Sequence, residues 1–102
     1  MKRRRIIIAP EAEADLDGIE GWIVDSASSR VATTFISSIF DFCESLDIAS
    51  ERGHRRDDLR KGLRIVGFER RLTIAFAVHD DRVEILRIFR GGRDWEADLS
   101  ED

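Results

Sequence analysis

The stretch that decides the fold is residues 59–95, LRKGLRIVGFERRLTIAFAVHDDRVEILRIFRGGRDW. Three short apolar runs lie within it: Leu63 to Phe68, Leu72 to Val78 and Val83 to Phe89. Each is too short for a stable helix and rich in Ile, Val, Leu and Phe, so each reads as a strand. The polar links Glu69-Arg70-Arg71 and His79-Asp80-Asp81-Arg82 suit hairpins and are far too short for the crossovers that parallel neighbours require. The stretch is therefore a three-stranded antiparallel meander, studded with arginine and ending in Gly91-Gly92-Arg93-Asp94-Trp95.

Upstream the periodicity changes from strand to helix. Residues 3–9 form a first strand, basic at its start and apolar from Ile6 to Ala9, and Pro10 both ends it and suits the first turn of a helix. Ala12, Leu16, Ile19 and Ile23 then recur at the spacing of one helical face, with Glu11, Glu13, Asp17 and Glu20 elsewhere. Ser26-Ala27-Ser28-Ser29 breaks the pattern and offers Ser28 or Ser29 as N-cap of a second helix, whose apolar face holds Ala32, Phe35, Ile36, Ile39, Phe42, Cys43 and Leu46. So short a link makes the two helices an antiparallel hairpin. Residues 50–61, SERGHRRDDLRK, read as a charged connector, and residues 95–102, WEADLSED, as a frayed acidic helix or a disordered end. The expected architecture is α+β. An N-terminal strand and a two-helix hairpin pack with a mainly antiparallel sheet completed by the C-terminal meander, in a single domain over residues 1–102.

Composition narrows the function. The single cysteine, Cys43, has no partner for an intramolecular disulfide and reads as a core thiol. His54 and His79 are far apart, each in a predicted turn, so neither a metal nor a cofactor is expected. No apolar run approaches the roughly 18 to 20 residues of a membrane span. Lys2-Arg3-Arg4-Arg5 is followed by too little apolar sequence for a secretory signal, so a cytoplasmic protein without a membrane partner is expected.

The net charge of −4 hides an asymmetry. Residues 10–50 carry nine acidic side chains against one basic, Arg30, whereas residues 52–93 carry twelve basic against six acidic. Fifteen of the seventeen basic residues are arginine. That bias suits forked recognition of phosphate or carboxylate, and a GC-rich genome would produce it without structural cause. Trp22 and Phe40 lie to the side of the two helical stripes. Either they flank the core and are partly covered, or they line an apolar groove filled by another chain.

Gly53, Arg56, Asp58-Leu59, Gly62-Leu63-Arg64, Ile74-Ala75-Phe76, Ile85-Leu86-Arg87-Ile88 and Gly92-Arg93-Asp94, in this order and spacing, resemble the ParE branch of the ParE/RelE toxin superfamily. The resemblance covers nearly the whole chain and implies a toxin of a type II toxin–antitoxin module, of the plasmid-stabilising kind. The branch poisons DNA gyrase and is neutralised by a cognate antitoxin, a ParD-like or other short DNA-binding protein, through which alone the toxin meets DNA. On this resemblance the target surface is assigned to Arg87, Arg90, Arg93, Asp94 and Trp95, and the antitoxin surface to Trp22, Phe40, Arg64 and Phe68. Trp95 is alternatively a latch holding the tail on the sheet. Arg87, Arg90 and Arg93 alternatively pair with Asp94 or Glu84, although surface ion pairs contribute only about 0 to 1 kcal/mol each.

The RelE branch instead cuts messenger RNA on the ribosome, and that chemistry needs a proton acceptor, a proton donor and positive charge at the phosphorane. Lys61, Arg71 and Arg93 fall near three positions that RelE-like enzymes use. The tyrosine of that branch is missing, since the chain contains none and Leu99 stands near its place. The His-Gly-x-Arg-Asp pattern common in the ParE branch has Arg90 where the histidine would stand. No catalytic residue is therefore expected. The rival readings are a ribosome-dependent endoribonuclease using Lys61, Arg71 and Arg93, and a toxin-fold protein that has lost toxicity but still binds an antitoxin.

Overall fold

The computed structural model of the chain describes residues 3–91 together with Glu96 and Leu99. Its elements are β1 (Arg5–Ile8), α1 (Pro10–Ser26), α2 (Ser29–Glu44), a 3-10 turn (Ser45–Asp47), β2 (His54–Arg55), β3 (Leu63–Phe68), β4 (Leu72–Val78) and β5 (Arg82–Arg90). In α1, Pro10 occupies the first turn and Glu11 and Glu13 lie where the helix dipole favours acids. Its buried residues are Ala12, Leu16, Ile19 and Ile23, the expected stripe. Ser28 caps α2, its hydroxyl accepting the Val31 N–H at 3.1 Å. Leu46, in the 3-10 turn, carries the apolar face of α2 one step further and is fully buried.

The five strands form one sheet in the order β1-β5-β4-β3-β2. The meander is present, and β1 adds to β5 in parallel, from Arg5↔Arg82 to Ile8↔Ile85, with the intervening chain serving as the long crossover that a parallel pair requires. Residues from α1 and α2 pack on the sheet face that presents Phe68, Leu72, Ile74, Phe76, Val83, Ile85 and Ile88. This is the expected α+β arrangement.

Three features differ from the sequence reading. The connector 50–61 contains β2, which pairs antiparallel with β3 through His54↔Ile65 and Arg55↔Arg64, so His54 lies in a strand and not in a turn. Two exposed polar residues leave no periodic signal, and the strand depends on backbone geometry. Gly53 adopts φ +73° so close to β3 that a Cβ there would stand 2.1 Å from the Ile65 carbonyl oxygen. The second difference is a bulge. Ala75 pairs with Arg87 but Phe76 pairs with Ile85, leaving Leu86 over and reversing which face the second half of β5 presents. Ile85 and Ile88 consequently both join the helix-side core, while Leu86 and Phe89 turn to the other face. There they meet Leu63, Ile65, Ala75 and, third, Leu99, a helical residue that is 1% exposed and therefore packed, where a frayed or disordered end was expected. Glu96 is tied down as well, accepting from Arg56 at 2.6 Å.

The end of β5 is held in an uncommon way. The β1 ladder stops at Ile8, with the Ala9 N–H still reaching the Ile85 carbonyl at 2.9 Å, whereas β5 runs on to Arg90. Asp15 of α1 takes the vacated place. One carboxylate oxygen accepts the Ile88 N–H at 2.9 Å, and the two oxygens together accept the Arg87 fork at 2.8 and 3.0 Å. The pair is largely shielded, with side chains 11% and 23% exposed, so these are charge-assisted bonds in a low dielectric.

Asp15→Asn removes the charge while keeping the shape, and is expected to cost about 2 to 4 kcal/mol in urea unfolding; an unchanged midpoint would contradict the clamp. Gly53→Ala is expected to cost at least about 2 kcal/mol, whereas Gly21→Ala, which meets only open space on α1, is expected to add about 0.5 to 1 kcal/mol. Similar shifts for the two glycine variants would show that Gly53 is not needed for the close approach of β2.

Candidate functional site

Where α1 passes beside the free end of β5, the surface opens into a groove of about 830 Å³. From α1 it is lined by Ala14, Asp15, Gly18, Ile19 and Trp22, and from the sheet by Ile88, Arg90, Gly91 and Arg71. Asp15, Gly18, Ile19 and Trp22 are spaced at i, i+3, i+4 and i+7, one flank of the helix. Gly18 meets nothing within 4 Å where its Cβ would stand, so the groove is open at its middle. Arg71 follows the turn between β3 and β4, where Glu69 and Arg70 both adopt positive φ, at 56° and 57°. The Gly91 N–H donates to the Arg71 carbonyl at 2.7 Å and so fixes the two strand ends beside each other.

Two arginines dominate the electrostatics. The Arg90 guanidinium lies 4.7 Å from the centre of the Trp22 ring, and that of Arg71 lies 5.9 Å from the centre of the Phe35 ring. Such stacking contributes about 0.5 to 1 kcal/mol at an exposed site, and it orients a guanidinium while leaving its N–H groups available. Among the described residues neither has a carboxylate partner. Most other arginines are engaged: Arg3 with Asp47, Arg5 and Arg82 with Asp81, Arg55 with Asp57, Arg56 with Asp58 and Glu96, Arg87 with Asp15. Arg4, Arg52 and Arg64 donate to the His79 carbonyl, the Ser45 hydroxyl and the Arg52 carbonyl. The Arg56 fork also holds the Asp58 carboxyl below the usual carboxylate range. The groove thus concentrates unneutralised positive charge beside an aromatic ring and the apolar Ile19 and Ile88, a surface suited to gripping an anion that carries an apolar neighbour.

The residues named from sequence divide unevenly over this geometry. Arg90 and Trp22, assigned to two different partners, touch each other in the groove, and Arg71 joins them. Arg87 is engaged as the clamp on Asp15, while Glu84, considered as its partner, bonds His79 at 3.0 Å. Phe68 is 8% exposed and packs between Phe35 and Phe42, with ring centres at 6.1 and 5.2 Å, so it belongs to the core. Arg64 is half-buried near the start of β3, at the opposite end of the sheet from the groove. Phe40 and Trp22 are 41% and 46% exposed, and only Trp22 lines the groove. Arg93, Asp94 and Trp95 lie outside the described residues.

Lys61 precedes β3 and Arg71 follows it, so a six-residue strand, about 20 Å long, separates them. They do not converge on one phosphate. Cys43 is 1% exposed, and burial, with the charge of Glu44 added, pushes its thiol up to about 11. It is a core thiol with almost no thiolate at neutral pH. Among the described residues no group of three or more His, Cys, Asp or Glu is placed to hold a metal ion, and no helix is long and apolar enough to cross a membrane.

Asp15 was missed by the sequence reading, although a signal existed. It stands three residues after Ala12 and four before Ile19, an acid at the edge of an apolar stripe, where a charge must find a partner.

Comparison with known proteins agrees with this architecture. The family described as "ParE toxin of type II toxin-antitoxin system, parDE" matches residues 6–95. A solved structure described as the chromosomal ParDE TA system from P. aeruginosa is similar with 26% identity and a TM-score of 0.75, over 86% of this chain and 96% of that one. The solution structure of a conserved hypothetical protein from Helicobacter pylori shares the fold at 15% identity and a TM-score of 0.55, over 88% of this chain and 97% of that one. Among curated proteins none matches significantly. With the match covering residues 6–95, from the first strand through all the residues that line the groove, the chain belongs to the ParE toxin family of type II toxin–antitoxin systems.

Proposed function

We propose that this toxin acts by binding, not by bond cleavage, that its target is the type II topoisomerase DNA gyrase, and that a cognate antitoxin of the ParD kind holds it silent. The observation that carries the reading is the groove, where Arg71 and Arg90 converge without a carboxylate partner among the described residues. Surface charge left unneutralised contributes little to stability, whereas Arg and Trp together are the side chains that dominate protein interfaces. Family membership supports an antitoxin partner, since the P. aeruginosa relative is a ParDE system. Contact with DNA comes through the antitoxin: α1 carries Glu11, Glu13, Asp15, Asp17, Glu20 and Asp25, and α2 has only Arg30 as a base, so neither helix offers a cationic face to a major groove.

The separation of Lys61 from Arg71 favours this reading over ribosome-dependent cleavage. A general acid or base must reach the proton it transfers within about 3 Å, and two groups at opposite ends of β3 cannot serve one scissile phosphate. Induction of the toxin without antitoxin is expected to give SOS induction and filamentation, and Arg90→Ala is expected to restore plating by about ten-fold or more with an unchanged melting curve. Arrest of translation with cleaved transcripts would overturn the proposal in favour of a nuclease, and normal growth in favour of an inert homologue.

A further inference from the structure

We propose that the hollow between the start of β1 and the connector at residues 48–52 is an anion site for a phosphate monoester, separate from the groove and independent of the target gripped there. Arg4, Ile48, Ala49, Ser50, Glu51 and Arg52 line it, and it encloses about 320 Å³, close to the lower bound of about 300 Å³ for small-molecule sites. Because Arg5 is level with Arg82, the hollow lies at the start of β5, whereas the groove lies at its end.

Charge defines the ligand first. Arg4 and Arg52 are both half-buried, and among the described residues neither has a carboxylate partner. The Arg4 Nε donates to the His79 carbonyl at 2.7 Å and the Arg52 Nη1 to the Ser45 hydroxyl at 3.1 Å. Each bond uses one N–H of the guanidinium and neutralises none of its charge. Glu51 is the one acid in the lining; it is exposed and bonds neither arginine, although it directly precedes Arg52. Two like charges left open in one hollow repel each other, so the site favours a ligand that brings two negative charges.

The fold holds both cations in place. The Arg52 guanidinium lies 5.6 Å from the centre of the Phe42 ring, and the Arg52 carbonyl accepts from Arg64 of β3 at 3.2 Å. The buried Ser50 hydroxyl donates to the Leu46 carbonyl at 2.6 Å, and the Arg4 N–H to the Asp47 carbonyl at 2.8 Å. The connector is thus fastened to the 3-10 turn and to β3, and Arg4 to the same turn. Guanidiniums preset in this way lose little rotamer freedom when an anion arrives.

A phosphate monoester carries about −1.5 to −2 charge at pH 7 and three strong acceptor oxygens, which matches both arginines, whereas a diester keeps a single charge. A nucleic-acid strand fits less well. Its backbone would have to pass the carboxylates around the hollow, where Asp47 is held by Arg3 and Asp81 by Arg5 and Arg82, and Glu51 stands in the lining itself. Ile48, 42% exposed, gives the hollow an apolar wall, so the group esterified to the phosphate is small and partly apolar.

The test titrates the purified toxin with glycerol 3-phosphate and with dimethyl phosphate, its singly charged counterpart, followed by amide chemical shifts and by the melting temperature. Saturable shifts centred on Arg4 and residues 48–52 are expected, with a melting temperature that rises with ligand and the monoester binding about five-fold or more tightly than the diester. The Arg4→Ala/Arg52→Ala double variant should weaken the monoester by about ten-fold or more, and the Arg71→Ala/Arg90→Ala double variant should leave it within about two-fold. Glu51→Gln removes the one negative charge from the lining and leaves every hydrogen bond named above in place, so it should fold normally and tighten binding by about two-fold or more. Equal binding of the two probes, shifts centred on Trp22 and Arg90, or a Glu51→Gln variant that binds no more tightly would each overturn the inference. Displacement of the monoester by an oligothymidylate at lower phosphate concentration would overturn it in favour of a nucleic-acid surface.

Discussion

The Asp15 carboxylate is the contact on which the rest of the molecule is arranged. It closes the edge that β1 leaves open on β5 and fixes α1 lengthwise beside that strand. Seven residues along a helix and three along a strand both span about 10 Å. With Asp15 locked to Arg87, Trp22 is therefore carried to the level of Arg90, and the ring and guanidinium meet. The Asp15–Arg87 ion pair and the Arg90–Trp22 stack are two rungs of one ladder. A charge that holds the fold thus sets the position of the Arg90 charge, which has no carboxylate partner among the described residues.

The elements with strong local signals were legible in the sequence. The meander followed from apolar runs and short polar links, α1 and α2 from stripes that the structure buries at Ala12, Leu16, Ile19, Ile23, Ala32, Ile39 and Cys43, and the cap from a serine cluster. What escaped depends on contacts between distant parts. β2 is two polar residues held by a glycine against β3, and the bulge at Leu86 follows from how β4 and β5 fit. Leu99 is buried because the second face of the sheet is apolar, which simple alternation along the strands did not reveal while one face had already been given to the helices. The candidate site was half legible: the sequence pointed to Trp22 and Arg90 separately, and only the fold brings them together with Arg71. Arg87 and Phe68, chosen by type and position, make contacts that the sequence could not show because the partners lie far off in the chain, at Asp15, Phe35 and Phe42.

An arginine-rich composition alone said little, because Arg3, Arg5, Arg55, Arg56, Arg82 and Arg87 pair with acids and Arg4, Arg52 and Arg64 bond carbonyl or hydroxyl oxygens. Arg56 holds Asp58 and Glu96, and Asp81 sits between Arg5 and Arg82. Subtracting such pairs leaves a cationic site much smaller than the composition implies, placed where an aromatic ring orients it. Orientation by stacking favours recognition: the guanidinium is preset, so less rotamer freedom is lost when an anion arrives. RNA cleavage of the RelE kind needs a proton donor and acceptor flanking the same phosphate, whereas Lys61 and Arg71 stand at opposite ends of β3.

The measurement that tests the central claim most directly is gyrase-mediated DNA cleavage with purified components, scored as linear DNA trapped by detergent and protease. The account predicts that the toxin accumulates cleaved complexes, and that the Arg71→Ala/Arg90→Ala double variant, folded as judged by its melting curve, does not. Cleavage complexes formed equally well by that variant, or no effect of the wild-type toxin on gyrase, would contradict it.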